Sequence, residues 1–320
     1  MNKIFTIFYG GTGLYDKKDG FIYVEKKDDI HKWLNKIPEI SLIANTEDFL
    51  IIEKERETKT KENLVKIVNA IQLNENNYDG ILIIHDTDSI PSLSNQLFWL
   101  VQNPQKPIII TGSNIIEKES GLVPDLSFKA NLINSLQVIN SNIKGINIVY
   151  GNRVISAPKV HRCSLSDLNI FDSIDLKYLA RIDFGLSIEK EIKNTPGETK
   201  YFYKMNDDYL FLEIIPELSV LESLFSKNNP IKVLVFKSWP NKIMDREKLV
   251  KLFKLSQENK KLAILYSKMS FGKNFFHTIL TIGNISPECL CAKLSWILGQ
   301  TKNEEKIKDL LCKNIQGEFM

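Results

Sequence analysis

The sequence has few cysteines and no long apolar run. Four cysteines occur in 320 residues, all of them in the second half of the chain, which is too few for the disulfide framework of a small secreted domain. Cys289 and Cys291 have no second pair that would complete a zinc knuckle. We therefore expect reduced thiols in the core. No stretch approaches the ~18 apolar residues that a membrane span requires, so no membrane partner is expected.

The chain also has little excess of either charge. Lys and Arg number 42 and Asp and Glu number 39, a net charge of +3, with both signs intermixed along the chain. Proteins whose main partner is nucleic acid usually concentrate basic residues on one face, so we expect no nucleic-acid partner. A strand-like segment, Ile4–Tyr9, follows Met1 without the segments of a signal peptide. A cytoplasmic protein is therefore expected.

Short apolar segments alternate with segments of helical periodicity. The predicted strands are Ile4–Tyr9, Ile81–Ile84, Pro107–Thr111 and Ile146–Val149. One intervening segment carries Leu64, Ile67, Val68 and Ile71, the spacing of a helix with one buried face. Strands this apolar, alternating with helices, are typical of a parallel sheet covered on both faces. The sequence therefore predicts an α/β protein.

The length and a central polar segment indicate two domains. The chain is about twice a usual domain length of ~150 residues. Its periodicity fades around Asn194–Glu198 and resumes with strands Val233–Phe236 and Leu262–Tyr266 and a helix at Asp245–Gln257. We predict a larger N-terminal catalytic α/β domain with a mostly parallel sheet at 1–185, a linker at 186–208 and a smaller C-terminal α/β domain at 209–320.

The last long helix of the second domain carries signals at both ends. Ser286 is suited to cap its free amides and Pro287 to occupy its first position. Gly299 is predicted to end the helix, because glycine readily adopts the conformation that follows a helix.

Polar residues follow three of the predicted strands. They are the segments Gly10-Gly11-Thr12-Gly13, His85-Asp86-Thr87-Asp88-Ser89 and Ser156-Ala157-Pro158-Lys159-Val160-His161. Function in an open parallel sheet collects beyond the carboxyl ends of its strands. Taken singly, each segment also has a structural interpretation, as a strand-to-loop turn, a helix cap or a surface lysine.

Taken together, the three segments supply one coherent chemistry. A threonine hydroxyl such as that of Thr12 is a weak nucleophile and needs a neighbouring base. Lys159 serves as that base only if its ammonium form is disfavoured, or if a second hydroxyl such as that of Thr87 relays the proton. An aspartate, here Asp88, then orients the amine and balances its charge.

These segments resemble the bacterial-type L-asparaginases, and among them the cytosolic type I branch. Gly10-Gly11-Thr12 is similar to the family's Thr-Gly-Gly-Thr loop, and His85–Ser89 to its His-Gly-Thr-Asp-Thr motif. Lys106–Ser113 resembles Lys-Pro-Val-Val-Leu-Thr-Gly-Ser, and Lys159 stands where the family carries its triad lysine. Three further segments match the family pattern: Asn131-Leu132, Phe171-Asp172-Ser173, and the tail with Lys293-Leu294 and Asn314–Glu318.

The resemblance implies an asparaginase-like fold and a two-step acyl transfer. Thr12 would attack the side-chain amide, assisted by a tyrosine on the mobile loop Gly13–Val24. Tyr23 fits that role best by spacing, and Tyr15 is its rival. Thr87 and Lys159 would act as proton relay and base, and Asp88 would receive the substrate's ammonium group.

Other properties carried over from the family concern the substrate, the cofactors and the assembly. The residues that would line the substrate, besides Asp88, are Gly11, Arg56, Glu57, Asp86 and Ser113. Backbone amides of the Gly10–Thr12 and Asp86–Asp88 turns would stabilise the oxyanion. No metal or organic cofactor is implied, and the expected assembly is a homodimer or homotetramer whose sites are closed by a neighbouring subunit.

Four departures from the family pattern bear on activity. Arg56-Glu57 stands where the family has a small polar pair that holds the substrate's α-carboxylate, and Glu57 would repel that group. Asp86 replaces a glycine and adds a charge beside Asp88. Gly13 replaces an isoleucine, which predicts a more mobile loop. Ser238–Asn241 replaces a glycine-rich turn associated with an interface and, in some members, with regulation.

Two hypotheses follow. The first is an active amidohydrolase that converts L-asparagine to L-aspartate and ammonia, which the set Thr12, Thr87, Asp88 and Lys159 favours. The second is a weak or inactive relative that binds an amino acid, or an enzyme acting on a different small amide or a lactone, which Arg56, Glu57 and Asp86 favour.

Overall fold

The computed structural model divides the chain into two compact units, Met1–Tyr203 and Lys204–Met320. The described residues are 1–9, 13–16, 20–23, 29, 37–52, 60–112, 116–118, 121–123, 128–164, 169–183, 185–188, 197–213, 218–226, 229–237, 246–267 and 280–319. Both units contain a sheet and helices, so the predicted α/β class is confirmed.

The first unit is built on an eight-stranded, mostly parallel sheet. The strands described in this unit are β1 (Asn2–Tyr9), β2 (Gly13–Asp16), β3 (Gly20–Tyr23), β4 (Ala44–Ile52), β5 (Gly80–His85), β6 (Val101–Gln102), β7 (Pro107–Thr111), β8 (Ile116–Lys118), β9 (Gly121–Val123), β10 (Gly145–Tyr150), β11 (Arg153–Ser156), β12 (Val160–Arg162), β13 (Phe171–Ser173), β14 (Ala180–Ile182), β15 (Leu186–Ile188) and β16 (Lys200–Tyr201). The large sheet has the order β15-β14-β11-β10-β7-β5-β1-β4. Its members β4, β1, β5, β7 and β10 run parallel, so their carboxyl ends share one edge.

The centre of this sheet is buried along its whole length. Every residue of β5 and β7 is buried, as expected for parallel strands covered on both faces. The helices described in this unit are α1 (Ile40–Ile43), α2 (Thr60–Asn74), α3 (Ile90–Leu100) and α4 (Phe128–Asn140). The predicted stripe of α2 faces inward, since Leu64, Ile67, Val68 and Ile71 are each at most 3% exposed.

The segment predicted as a mobile loop contains a hairpin. β2 and β3 pair in antiparallel fashion, with Gly13 opposite Tyr23 and Tyr15 opposite Phe21. The segment predicted as a loop therefore contains two paired strands, and its mobility stays a prediction. Aromatic and β-branched residues, which favour strands, occupy three of the four positions of β3.

The second unit has a smaller parallel sheet. Its strands are β17 (Tyr209–Leu212), β18 (Val233–Lys237), β19 (Leu262–Tyr266) and β20 (Leu280–Ile282), paired in that order. The helices described here are α5 (Leu218–Phe225), α6 (Arg246–Glu258), α7 (Pro287–Gln300) and α8 (Glu304–Cys312). Ser286 caps α7, its hydroxyl accepting from the Cys289 amide at 3.0 Å, and Pro287 takes the first position.

Gly299 has a different role from the predicted one. Helix α7 continues through Gln300 and is capped by Thr301, so Gly299 does not end it. A Cβ at Gly299 would lie 2.4 Å from the Lys204 carbonyl oxygen. The glycine is therefore explained by the close approach of the 204–205 backbone to the helix.

The boundary between the two units falls within the segment 186–208 that the sequence predicted as a linker. Part of this segment is nevertheless attached to the first unit. β15 pairs with β14, and β16 pairs with β6. Glu75 accepts hydrogen bonds from the Thr199 hydroxyl at 2.6 Å and from the Tyr201 hydroxyl. The chain thus remains tied to the first unit up to about Tyr203.

All four cysteines are free thiols, but they do not all lie in the core. Cys289 is buried and Cys291 is half-buried, whereas Cys163 and Cys312 are exposed. The expectation of core thiols is therefore wrong for these last two. Within the described ranges, no helix combines the length and the apolar character needed to cross a bilayer.

Candidate active site

The carboxyl ends of β1 and β5 lie side by side. Tyr9 pairs with His85 in parallel register, and their rings stack with centroids 4.4 Å apart and an interplanar angle of 2°. His85 Nδ1 donates to the Tyr9 carbonyl oxygen at 2.9 Å. The polar segment that follows β5, beginning at Asp86, therefore lies next to the end of β1. Thr12 follows that end by three residues in the sequence.

The neighbouring strand ends are held equally close. A Cβ at Gly112 would lie 2.1 Å from the His85 carbonyl oxygen, so only glycine allows β7 to leave the sheet here. Asn131 of α4, which is fully buried, donates to the Gly112 carbonyl at 3.3 Å and accepts from the Gly151 amide at 2.9 Å. This asparagine links the ends of β7 and β10. These hydrogen bonds explain why the residue matches the family pattern.

Residues Thr87–Ser89 form a short 3₁₀ turn that leads into α3. Asp86 caps the turn, and its Oδ1 accepts from the Asp88 amide at 3.2 Å. The Ser89 amide donates to the Asp86 carbonyl oxygen at 3.1 Å. Thr87 is 2% exposed, whereas the Asp88 side chain is 72% exposed. Asp86 thus acts as a helix cap, the structural interpretation that the sequence left open for this segment.

Lys159 forms an ion pair with Asp175. It ends a second 3₁₀ turn, Ala157–Lys159, and its Nζ lies 2.5 Å from Asp175 Oδ2, with side chains 22% and 9% exposed. Asp175 also accepts from the Ser173 hydroxyl at 2.7 Å and the Lys177 amide at 3.1 Å. Burial raises the pKa of Asp175, but these hydrogen bonds, led by that of Lys159, outweigh it and hold the pKa below its usual value.

A small hairpin explains this pairing. β12 and β13 are antiparallel, with Val160 opposite Ser173. Lys159 precedes β12 by one residue, and Asp175 follows β13 by two, so the register brings them to the same end. The Ile174 amide closes this end by donating to the Lys159 carbonyl oxygen at 2.9 Å.

At the other end of β12, Arg162 forms an ion pair with Asp88. Arg162 Nη1 bonds Asp88 Oδ1, a contact between residues 74 positions apart. Its Nε donates to the Ser164 carbonyl oxygen at 3.1 Å. The expectation that Asp88 balances the charge of Lys159 is therefore wrong, because Arg162 pairs with Asp88 and Asp175 pairs with Lys159.

The two polar segments share one neighbour. Helix α3 begins directly after the Thr87–Ser89 turn, and the Ala157–Lys159 turn and β12 both pack against this helix. Together with the contact between Arg162 and Asp88, this brings the second and third predicted segments into one region at the edge of the sheet.

Several predicted site residues lie outside the described residues. They are Gly11, Thr12, Arg56, Glu57 and Ser113, and the altered turn Ser238–Asn241 lies outside as well. For the two candidate tyrosines, the structure gives the backbone. Tyr23 lies directly across the hairpin from Gly13, the residue after Thr12, whereas Tyr15 lies two positions further along.

The sequence reasoning missed Asp175 and Arg162. Both carried a weak signal, since Arg162 follows Lys159 by three residues and Asp175 closely follows Phe171-Asp172-Ser173. Their contacts depend on the register of the β12–β13 hairpin and on the packing of β12 against α3. Spacing along the chain indicates neither.

Comparison with known proteins extends the resemblance. The family model described as "Asparaginase, N-terminal" matches residues 3–194. L-asparaginase 1 of Escherichia coli (strain K12) is 25% identical over 341 residues, which cover 99% of this chain and 98% of that protein. A glutamyl-tRNA(Gln) amidotransferase subunit of Methanosphaera stadtmanae is 25% identical over 344 residues, covering 97% of this chain and 75% of that protein.

A solved structure gives the same fold. The crystal structure of L-asparaginase I from Vibrio cholerae O1 biovar eltor str. N16961 superposes with a TM-score of 0.80 at 22% identity, and the match covers 100% of both chains. The fold predicted from the family resemblance is therefore confirmed.

Proposed function

Because the chain belongs to the asparaginase family, we propose that it is an amidohydrolase that converts L-asparagine to L-aspartate and ammonia. The observation that carries the proposal is the convergence of the Thr87–Asp88 turn with the segment from Lys159 to Arg162 beside the end of β1. This region supplies a hydroxyl, a carboxylate and an amine next to the strand that leads to Thr12.

The proposed reaction has two steps. Thr12 Oγ bonds to the carbon of the side-chain amide, the C–N bond breaks, and the threonine proton leaves with the nitrogen as ammonia. Water then attacks the resulting ester, the bond to Thr12 breaks as a proton from the water returns to the threonine oxygen, and L-aspartate is released. Thr87 and Lys159 relay the protons, and Tyr23, which lies across the hairpin from Gly13, assists Thr12.

Substrate binding is proposed for Gly11, Arg56, Glu57, Asp88 and Ser113. Asp88 receives the α-ammonium group in this scheme. The Asp88 amide already donates to the Asp86 carboxylate, so we assign the stabilisation of the oxyanion to the Gly10–Thr12 turn. Asp86 is also proposed to line the substrate, and its side chain caps the turn that carries Asp88.

Ammonia release from L-asparagine, L-glutamine and a panel of small amides tests the proposal. Thr12→Ala is expected to lower turnover by at least ~10³-fold, because it removes the nucleophile. Thr281→Ala, which alters an exposed threonine of the second unit, is the matched control and should keep parental turnover. If no substrate turns over while Thr12→Ala binds asparagine like the parent, the chain is not this enzyme.

A second candidate function is supported by the ion pair between Arg162 and Asp88. A carboxylate already paired with an arginine is less available to an ammonium group, which favours a weak amidohydrolase or one that acts on a different small amide. The relative named as part of an amidotransferase makes L-glutamine the most informative second substrate. The amide panel separates these functions, because a weak amidohydrolase turns over L-asparagine slowly, whereas an enzyme of different specificity turns over another amide faster than L-asparagine.

We also propose a cytoplasmic homodimer or homotetramer. Four free thiols suit a reducing compartment, and the family resemblance implies that a neighbouring subunit closes each site. Analytical ultracentrifugation of the full chain tests the assembly, and a monomer at micromolar concentration would contradict it.

A further inference from the structure

The ion pair between Asp88 and Arg162 occupies the position at which the proposed reaction requires the substrate's α-ammonium group to bind. The Asp88 side chain is 72% exposed, so its carboxylate is accessible to a ligand. Arg162 Nη1 already bonds one of its oxygens. An α-ammonium group that approached Asp88 would therefore meet a guanidinium that holds the same carboxylate.

A side-chain hydrogen bond and the pairing of its strand both fix the position of Arg162, so its ion pair with Asp88 is more than a transient surface contact. Its Nε donates to the Ser164 carbonyl oxygen at 3.1 Å, and its backbone belongs to β12, which pairs with β13. The side chain is 26% exposed. These contacts direct the guanidinium toward Asp88 and reduce the entropy that it loses on pairing.

Lys159 does not compete for Asp88, because its charge is balanced elsewhere. Its Nζ pairs with Asp175, which is 9% exposed and also held by Ser173 and Lys177. Asp88 and Arg162 thus form a separate pair, and the guanidinium remains positive whether or not a substrate is bound. A fixed positive charge here disfavours an ammonium group and favours a carboxylate.

We infer that Arg162 is a specificity-determining residue that competes with the substrate's α-ammonium group for Asp88. The inference rests on the proposed function. The site then favours monoamides of dicarboxylic acids that lack a free amino group, and succinamate is the simplest example. Asparagine differs from succinamate only by its α-ammonium group. Because this group must compete with Arg162 for Asp88, asparagine binds less tightly than succinamate.

Steady-state kinetics of Arg162→Gln with both amides test this inference. Exposed ion pairs contribute up to ~1 kcal/mol, so the substitution should lower KM for asparagine about five-fold with little change in kcat. KM for succinamate should stay the same or rise. Arg162→Lys keeps the charge and should retain part of the penalty. Arg181→Gln, which alters another arginine of the first unit, on β14, is the control and should leave both KM values unchanged.

Binding of the two products gives a readout that does not depend on turnover. Calorimetric titration should show that the parent binds succinate more tightly than L-aspartate, and that Arg162→Gln reverses or removes this preference. If no amide is hydrolysed but the preference shifts in this way, the proposed function fails and the role of Arg162 stands. If Arg162→Gln changes both ligands by the same factor, or if neither product binds the parent, the inference is overturned.

Discussion

Two lysine–carboxylate pairs in this chain share their chemistry and differ in their surroundings. Lys293 and Glu318, in the second unit, are 2.7 Å apart with both side chains 0% exposed. Lys159 and Asp175, in the first unit, are 2.5 Å apart with side chains 22% and 9% exposed. The enclosed pair is inaccessible to any ligand, whereas water and small molecules can reach the other. Accessibility, more than pairing, therefore distinguishes a structural lysine from a candidate functional one.

The enclosed pair holds the C-terminal tail. Lys293 of α7 also donates to the carbonyl oxygens of Leu311 at 3.1 Å and Lys313 at 2.7 Å. Glu318 accepts from the backbone amides of Ile315 and Gln316. Burial lowers the pKa of Lys293, and the hydrogen bond to Glu318 opposes this effect. The tail motif that supported the family resemblance therefore has a structural explanation.

The largest expected effect comes from breaking the enclosed pair. Lys293→Met leaves the Glu318 carboxylate buried without its partner, which should lower the free energy of unfolding by ~3–5 kcal/mol. Urea denaturation measures this loss. The double variant with Lys293→Met and Glu318→Leu should recover only part of it, because the backbone groups that Lys293 and Glu318 bond lose these partners as well. A single variant as stable as the parent would mean that the pair does not hold the tail.

The accessible pair should affect activity more than stability. Asp175→Asn keeps the shape of the side chain but removes the carboxylate that pairs with Lys159. If Lys159 acts as the base, its amine is then held less firmly, and kcat should fall about ten-fold while KM changes little. Steady-state ammonia release measures both constants.

The control and the stability of this variant sharpen the comparison. Asp183→Asn, which alters an exposed aspartate of the same unit, should leave kcat unchanged. Because the pKa of Asp175 is lowered in the fold, its contribution to stability is present above about pH 4 and is lost as pH falls through the folded value. Asp175→Asn should therefore weaken the loss of stability in acid. An unaltered kcat would exclude Asp175 as a positioning residue for Lys159.

The fold was largely predictable from the sequence because its central strands are uninterrupted apolar segments. β7 and β19 have the predicted bounds, since turn-forming or charged residues flank both. The β2–β3 hairpin was missed because glycines and a family pattern suggested a loop, although its residues favour strands. Local patterns thus fixed the elements wherever burial is continuous.

The candidate site was only partly predictable. Sequence reasoning found Thr87, Asp88 and Lys159 because strand ends in a parallel sheet share an edge. It gave Lys159 the wrong partner, because several carboxylates follow strands in this region. The register of β12 against β13 places Asp175 beside Lys159. Pairing between strands is a tertiary property. Spacing therefore identified the region but not the ion pairs within it.

The smallest expected effect concerns how closely the C-terminal end of α7 packs against the rest of the second unit. Alanine favours a helix interior over glycine by ~1 kcal/mol, so Gly299→Ala would stabilise an isolated helix. Here the new Cβ would lie 2.4 Å from the Lys204 carbonyl oxygen, and backbone cannot move aside as a flexible side chain can. We expect a net loss of ~1–2 kcal/mol in urea denaturation, whereas Glu305→Ala, at an exposed position of α8, should stay within ~0.5 kcal/mol of the parent. A stabilised Gly299→Ala variant would show that α7 is packed loosely at this end, and that the enclosure of Lys293 does not extend along the helix.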